Sequence, residues 1–217
     1  MGLFRKKPEL YSEAEIEKLE SYIAETFGEF PTVLHEIVSP DIHADIAVVP
    51  PQGARDYITL VTMGMGAHRM NVPRALRAYR LERAELVICL PSGWRLDSED
   101  ERDYWPVRWL KMLARMPIEQ NTWLGYGHTA GGGEPLADNT AFSALLLLDA
   151  FGSEKPYAPL TLPGGDIVRF YQLIPLYDEE LQYKMAHNAD ALKSLFAQED
   201  QSPIVRLHRK NYGLPTQ

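Results

Sequence analysis

The chain reads as an α+β protein with a mixed, mostly antiparallel central sheet and helices packed on it. Three observations point there. Leu86 to Leu90 is an unbroken apolar run that stops at Pro91-Ser92-Gly93, the mark of a strand buried on both faces. A second such run, Tyr57 to Met63, ends at Gly64-Met65-Gly66. The strands follow one another too closely for crossover helices, so neighbours in sequence must pair antiparallel.

The elements follow in order. Ser12-Glu-Ala-Glu15 is a capping box, and Ile16, Leu19, Ile23 and Phe27 follow at helical steps until Gly28; this predicts an amphipathic helix over 12–27. Thr32 to Val38 and His43 to Val49, split by Ser39-Pro40-Asp41, predict a hairpin. In its second strand Ile42, Ala44, Ile46 and Val48 share one face, and His43, Asp45, Ala47 and Val49 share the other. Met65 to Pro73 reads as a loop, and Arg74 to Glu85 as the lead into the Glu85 strand. Asp97 to Asp103 holds five acids and one arginine and is expected to be an exposed, flexible loop. Pro106 fits the first turn of a helix whose buried side is Val107, Leu110, Leu113 and Ala114, with Pro117 ending it.

Asn121 to Asn139 is long and glycine-rich. Ala141 to Phe151 is apolar and suits a buried strand or a short helix. Tyr157 to Leu162 and Ile167 to Leu176 flank Pro163-Gly164-Gly165-Asp166 as a late hairpin. Asp178 to His187 and Asp190 to Gln198 are helical, with Met185, Leu192, Leu195 and Phe196 as expected core contacts. At 217 residues and with no long linker, 1–217 is expected to be one domain. Residues 199–217 are expected to be its tail, whose Arg206, His208, Arg209 and Lys210 form a solvated basic cluster.

Composition narrows the function. A net charge of −8 argues against a sequence-independent nucleic-acid binder and suits a partner with a basic surface. The chain contains no apolar run long enough for a membrane span. The N-terminus lacks the apolar stretch of a secretory signal, and Lys6 breaks the myristoylation pattern. The single Cys89 lies inside the buried run and reads as a core residue of a cytoplasmic protein.

No catalytic set emerges. Cys89 and Ser92 suggest a nucleophile with His128 or His68 as base, but Cys89 is mid-strand and Leu90 breaks the nucleophile-elbow pattern at Ser92. Gly125, Gly127 and Gly131-Gly132-Gly133 lack the spacing and context of a dinucleotide loop. His35, His43 and Asp45 can meet on adjacent strands and supply metal ligands. No wider histidine or cysteine signature supports them, and purified protein is expected to carry no stoichiometric zinc. Trp94 and Trp109 read as core. Trp123, Tyr126 and His128, on the glycine-rich segment, read as a protein-binding surface with Asp100 and Glu101 at its rim.

Several stations resemble the suppressor-of-fused family. They are the strand ending at Gly64, Met70-Asn-Val-Pro73, Glu85-Leu86 with Leu90-Pro91 and Trp94, and the Trp105 helix. Then come Asn121-Thr-Trp-Leu124, Gly127-His-Thr129, Glu134-Pro135 and Leu176-Tyr-Asp-Glu-Glu-Leu181. About 30–198 is the best-matched span. The resemblance implies an α/β sandwich and a binding protein with no catalytic residues or cofactor. The family's animal members bind a short transcription-factor peptide between two domains, and this chain is too short for the second. Similar bacterial single-domain proteins are associated with toxin–antitoxin neighbourhoods, which implies an immunity protein with a toxin as partner. The alternative is a metal-dependent enzyme using His43, Asp45 and His128. The oligomeric state stays open.

Overall fold

The structure is a computed structural model and describes residues 7–151, 156–199 and 202–214. The chain runs α1 (Glu13–Phe27), β1 (Thr32–Leu34), β2 (Asp45–Val49), β3 (Tyr57–Met63), two short 3-10 helices, and β4 (Arg83–Pro91). It continues through α2 (Glu101–Glu119), β5 (Thr129–Gly131), β6 (Ala144–Leu148), β7 (Leu160–Thr161), β8 (Ile167–Leu176), α3 (Asp178–Ala186) and α4 (Ala189–Glu199). The strands form one sheet in the order β1-β2-β3-β4-β8-β6-β5, with β7 paired to β8. Only the β4–β8 pair is parallel; the others are antiparallel. The α+β architecture expected from strand spacing is present, and the segment from Ala141 resolves as a strand rather than a helix.

Side-chain alternation explains the layers. Leu86, Ile88 and Leu90 of β4 face the same core as Ile42, Ala44, Ile46 and Val48, and α2 covers it with Trp105, Leu110 and Leu113. Val87 of β4 and Ala47 and Val49 of β2 point the other way, onto Leu19, Ile23 and Phe27 of α1. On that same side of β8, further along, Ile174 and Leu176 meet Leu192 and Phe196 of α4. All of Leu86 to Leu90 is buried, which a strand covered by helices on both faces requires. Each fully buried side chain of that kind contributes about 1.5–3 kcal/mol.

The ends of α1 match the sequence. Ser12 and Glu15 form both halves of the capping box, and Gly28 at φ 111° returns its N–H to Ile23 and Ala24. Elsewhere the structure corrects the reading. β1 stops at Leu34, because residues 35–44 leave the ladder to make a loop of their own. Of the acids at 97–103, Asp97, Glu99 and Asp100 lie in the loop as expected, but Glu101 and Asp103 belong to a helix. Asp100 caps α2, which begins at Glu101, a turn before Pro106. The missing N–H of Pro106 frees the Arg102 carbonyl, and Asn139 Nδ2 donates to it at 2.9 Å. Met185 is exposed rather than core. Trp105 is fully buried, whereas Trp94 and Trp109 are only partly so.

The largest correction concerns 202–214. Beyond Val87, β8 has diverged from β4, and the C-terminal segment takes the vacated edge: Val205 N donates to the Cys89 carbonyl at 2.8 Å, and Val205 is buried. Arg209 is therefore no solvated cation. It donates to both oxygens of Glu180, which is wholly buried, and lies over the rings of Phe142, Tyr177, Phe196 and Tyr212.

Candidate functional site

The glycine-rich segment is ordered and largely woven into the fold. Leu124, Ala130, Leu136 and Ala137 are buried, and its middle forms β5, the last strand of the sheet. Trp123 and His128 pack edge to face with centroids 4.3 Å apart. Burial holds the His128 imidazole below its ordinary pKa, so it is neutral at pH 7. Tyr126 is half-buried against two core clusters, and its hydroxyl donates to Asp190 of α4. Burial and that carboxylate raise the phenol pKa.

Trp123 and His128 therefore meet, while Tyr126 turns its hydroxyl to α4. Asp100 and Glu101 border the far end of the segment, where Asn139 meets Arg102 and Arg108 meets Leu136. The two acids are engaged locally, Asp100 with Arg102 and Glu101 with Arg108. The Arg102 guanidinium holds the Asp100 carboxyl well below the usual range. Rim charges already paired steer a partner less than free ones would.

The other polar assembly lies at the opposite end of the sheet. Asp45 opens β2, and the 35–44 loop brings two imidazoles to it. His35 Nδ1 lies 2.8 Å from one carboxylate oxygen and His43 Nε2 lies 3.0 Å from the other. The three residues offer ligand atoms within 4.8 Å of one another. They border a cleft of about 490 Å³ whose walls include Leu10, Tyr11, Ile16, Val33 and Met63. Gly64, at φ 138°, shapes that side: a side chain there would run into the His43 carbonyl. His128 is not part of this group, so the set His43, Asp45 and His128 is not assembled; His35 stands in that place.

Two features escaped the sequence reading. Glu85 of β4 is completely buried on the α1 side. One oxygen accepts from the Tyr11 hydroxyl and the Gly64 and Gly66 amides, and the other from Thr62 Oγ1. Among the described residues no cation pairs with it, and burial pushes its pKa up from 4.5 to about 6, against those four donors. The signal available was one carboxylate inside an otherwise apolar strand. The second feature is the group of Glu36, Ser39 and Arg115 around His43. Cys89 is inert: its thiol contacts Thr59 and Gln172, and burial raises its pKa to about 12. Of the two bases suggested for it, His68 is paired with Glu9 and His128 packs on Trp123.

Comparison with known proteins gives a consistent result. A family model described as Suppressor of fused protein matches residues 40–210. An uncharacterized protein of Ureaplasma parvum serovar 3 is 25% identical over 205 residues, covering 93% of this chain and 97% of that protein. Among solved structures, that of the Sufu–Fu complex has a TM-score of 0.67 at 13% identity, covering 95% of this chain and 93% of its own. A suppressor-of-fused homologue from Neisseria gonorrhoeae FA 1090 scores 0.63 at 15% identity, over 94% and 100%. Drosophila Suppressor of Fused scores 0.61 at 14% identity, and this chain spans 50% of its length. At such identities the structural likeness speaks for the fold.

Proposed function

The chain belongs to the suppressor-of-fused family, and from that premise we propose that it is a non-enzymatic protein-binding module whose contact surface is the β5 end of the sheet. The observation that carries this reading is the open edge of β5. The His128 carbonyl accepts from Leu147 and the Gly132 amide donates to Ser143, so these residues face β6. In an antiparallel ladder the residues between them alternate, which turns the backbone groups of Thr129 and Gly131 outward. An edge of this kind accepts an extended segment of another chain. Trp123, Tyr126 and His128 stand beside it as half-exposed aromatics, the residue class that anchors interfaces. The net charge of −8 favours a basic partner. A structure of the same fold was solved as a complex with Fu, and a protein partner is the corresponding reading here. The finer reading is a cytoplasmic immunity protein that neutralises a cognate toxin by covering its surface, a role that needs no catalytic group.

Photocrosslinking tests both levels. A photoreactive residue placed at Thr129 should trap a defined protein in cells, whereas one at exposed Tyr79 should not. With the photoreactive residue moved to exposed Glu134, Thr129→Pro should abolish capture by removing an outward N–H, while changing stability by no more than about 0.5 kcal/mol. Equal trapping at both positions, or none at Thr129, sinks the surface assignment. If the trapped protein is harmless when expressed alone, the immunity reading fails and the binding reading survives. Tyr126→Ala is unsuited to this test, because Tyr126 also packs against the core.

A further inference from the structure

We propose that His35, His43 and Asp45 form a binding site for a first-row divalent cation, zinc being the best fit, with an open coordination position facing the cleft beside α1. This runs against the expectation drawn from the sequence, and it is independent of the β5 surface. Sequence spacing alone left the three ligands unsupported. The fold supplies what spacing lacked.

The first argument is the donor set. Two imidazole nitrogens and one carboxylate oxygen suit zinc and its neighbours, whereas calcium and magnesium demand oxygen. Three protein ligands leave zinc a fourth position for water or another small ligand. Bonds of about 2.0–2.1 Å in a tetrahedron place ligand atoms about 3.4 Å apart. Here His35 Nδ1 lies 2.8 Å from Asp45 Oδ2 and His43 Nε2 lies 3.0 Å from Oδ1, and one ligand atom from each residue lies within 4.8 Å of the other two. The His35 side chain, 73% exposed, has room to rotate towards a shared ion.

The second argument is the shell behind the ligands. Arg115 donates to Glu36 Oε1 and to Asp41, and its side chain is nearly buried. Glu36 Oε2 in turn accepts from Ser39 Oγ at 3.1 Å and from the Ala44 amide at 3.2 Å. The Glu36 amide donates to Asp45 Oδ1 at 2.8 Å. Ser39 Oγ lies 2.6 Å from His43 Nδ1, so the far ring nitrogen is held while Nε2 stays directed at Asp45 Oδ1, 3.0 Å away. Holding a histidine through its far ring nitrogen is how outer-shell groups orient it to ligate. Arg115 reaches this loop from α2, which is why nothing near His43 in sequence announces the arrangement.

The probe is zinc itself. Protein stripped with a chelator and desalted should bind one zinc per chain with a Kd of about 1 µM or tighter by calorimetry. Cobalt(II) in its place should give the visible absorption of a low-coordinate nitrogen–oxygen site. His35→Ala should weaken binding about tenfold or more. Ser39→Ala, which touches no metal, should weaken it by about 10–100-fold. The exposure of His35 keeps that variant folded, so its result stands even if Asp45→Asn unfolds. Absence of saturable binding below about 0.1 mM, or tight binding that both His35→Ala and Ser39→Ala leave unchanged, overturns the assignment.

Discussion

Glu85 and Glu180 are both glutamates with no solvent exposure, yet the protein treats them in opposite ways. Glu180, in the first turn of α3, accepts from the Tyr177 and Tyr212 amides at 3.0 Å each and faces the guanidinium of Arg209. Among the described residues Glu85 meets neutral donors alone: two hydroxyls and two backbone amides. Both knots fasten a chain terminus to the sheet, Tyr11 at one end and the 202–214 segment at the other. The difference teaches that burial alone does not decide what a carboxylate costs. A paired carboxylate depends on its cation, and an unpaired one depends on pH.

The comparison breaks most visibly at Arg209. Arg209→Ala leaves Glu180 buried without its cation and strips a shared contact from four rings. It should lower the stability of unfolding by about 3–5 kcal/mol, measured by urea denaturation at pH 7. A loss below about 1 kcal/mol would mean that the C-terminal segment is not docked in solution.

Glu85 should show itself through pH. Its folded pKa, about 6, lies above its ordinary 4.5, so folding takes up a proton between those values. Its contribution is therefore fully present below about pH 4.5, falls as pH rises to about 6, and is flat above. The change is about 2 kcal/mol. Other carboxylates titrate in the same range, so the signal is the difference between the wild type and Glu85→Gln, whose stability should lack this fall. Identical pH profiles would refute it.

The smallest effect sharpens the same point. The Tyr11 hydroxyl favours ionised Glu85, so Tyr11→Phe should cost about 1 kcal/mol at pH 7 and less at pH 4. It should also move the Glu85 transition to higher pH, in a stability series or by carboxyl NMR. An equal loss at both pH values would leave Tyr11 a packing residue only.

Much of the fold is visible in the sequence, because the relevant signals are local. The capping box at Ser12, the two-sided burial of Leu86 to Leu90, and the two faces of the strand through Ile46 each follow from spacing within a few residues. The candidate site is less visible. Trp123, Tyr126 and His128 are neighbours along the chain and can be grouped from it. His35, His43 and Asp45 can be suspected, but Arg115 reaches Asp41 across 74 residues and Glu36 across 79. Glu85 meets Tyr11 across 74 residues, and no periodicity links the two.

By itself, then, the sequence determined the longer helices and strands and which of their faces are apolar, because backbone geometry repeats every two or 3.6 residues and the side-chain pattern must follow it. Tertiary structure alone decided that β8 lies parallel to β4, that the C-terminal segment completes that strand's edge, and that Arg209 is a buried partner rather than a solvated cation. It also gathered two histidines and an aspartate around one point. Those outcomes depend on which remote surfaces fit together in three dimensions, and a charged residue's environment is set by what packs over it, not by its neighbours along the chain.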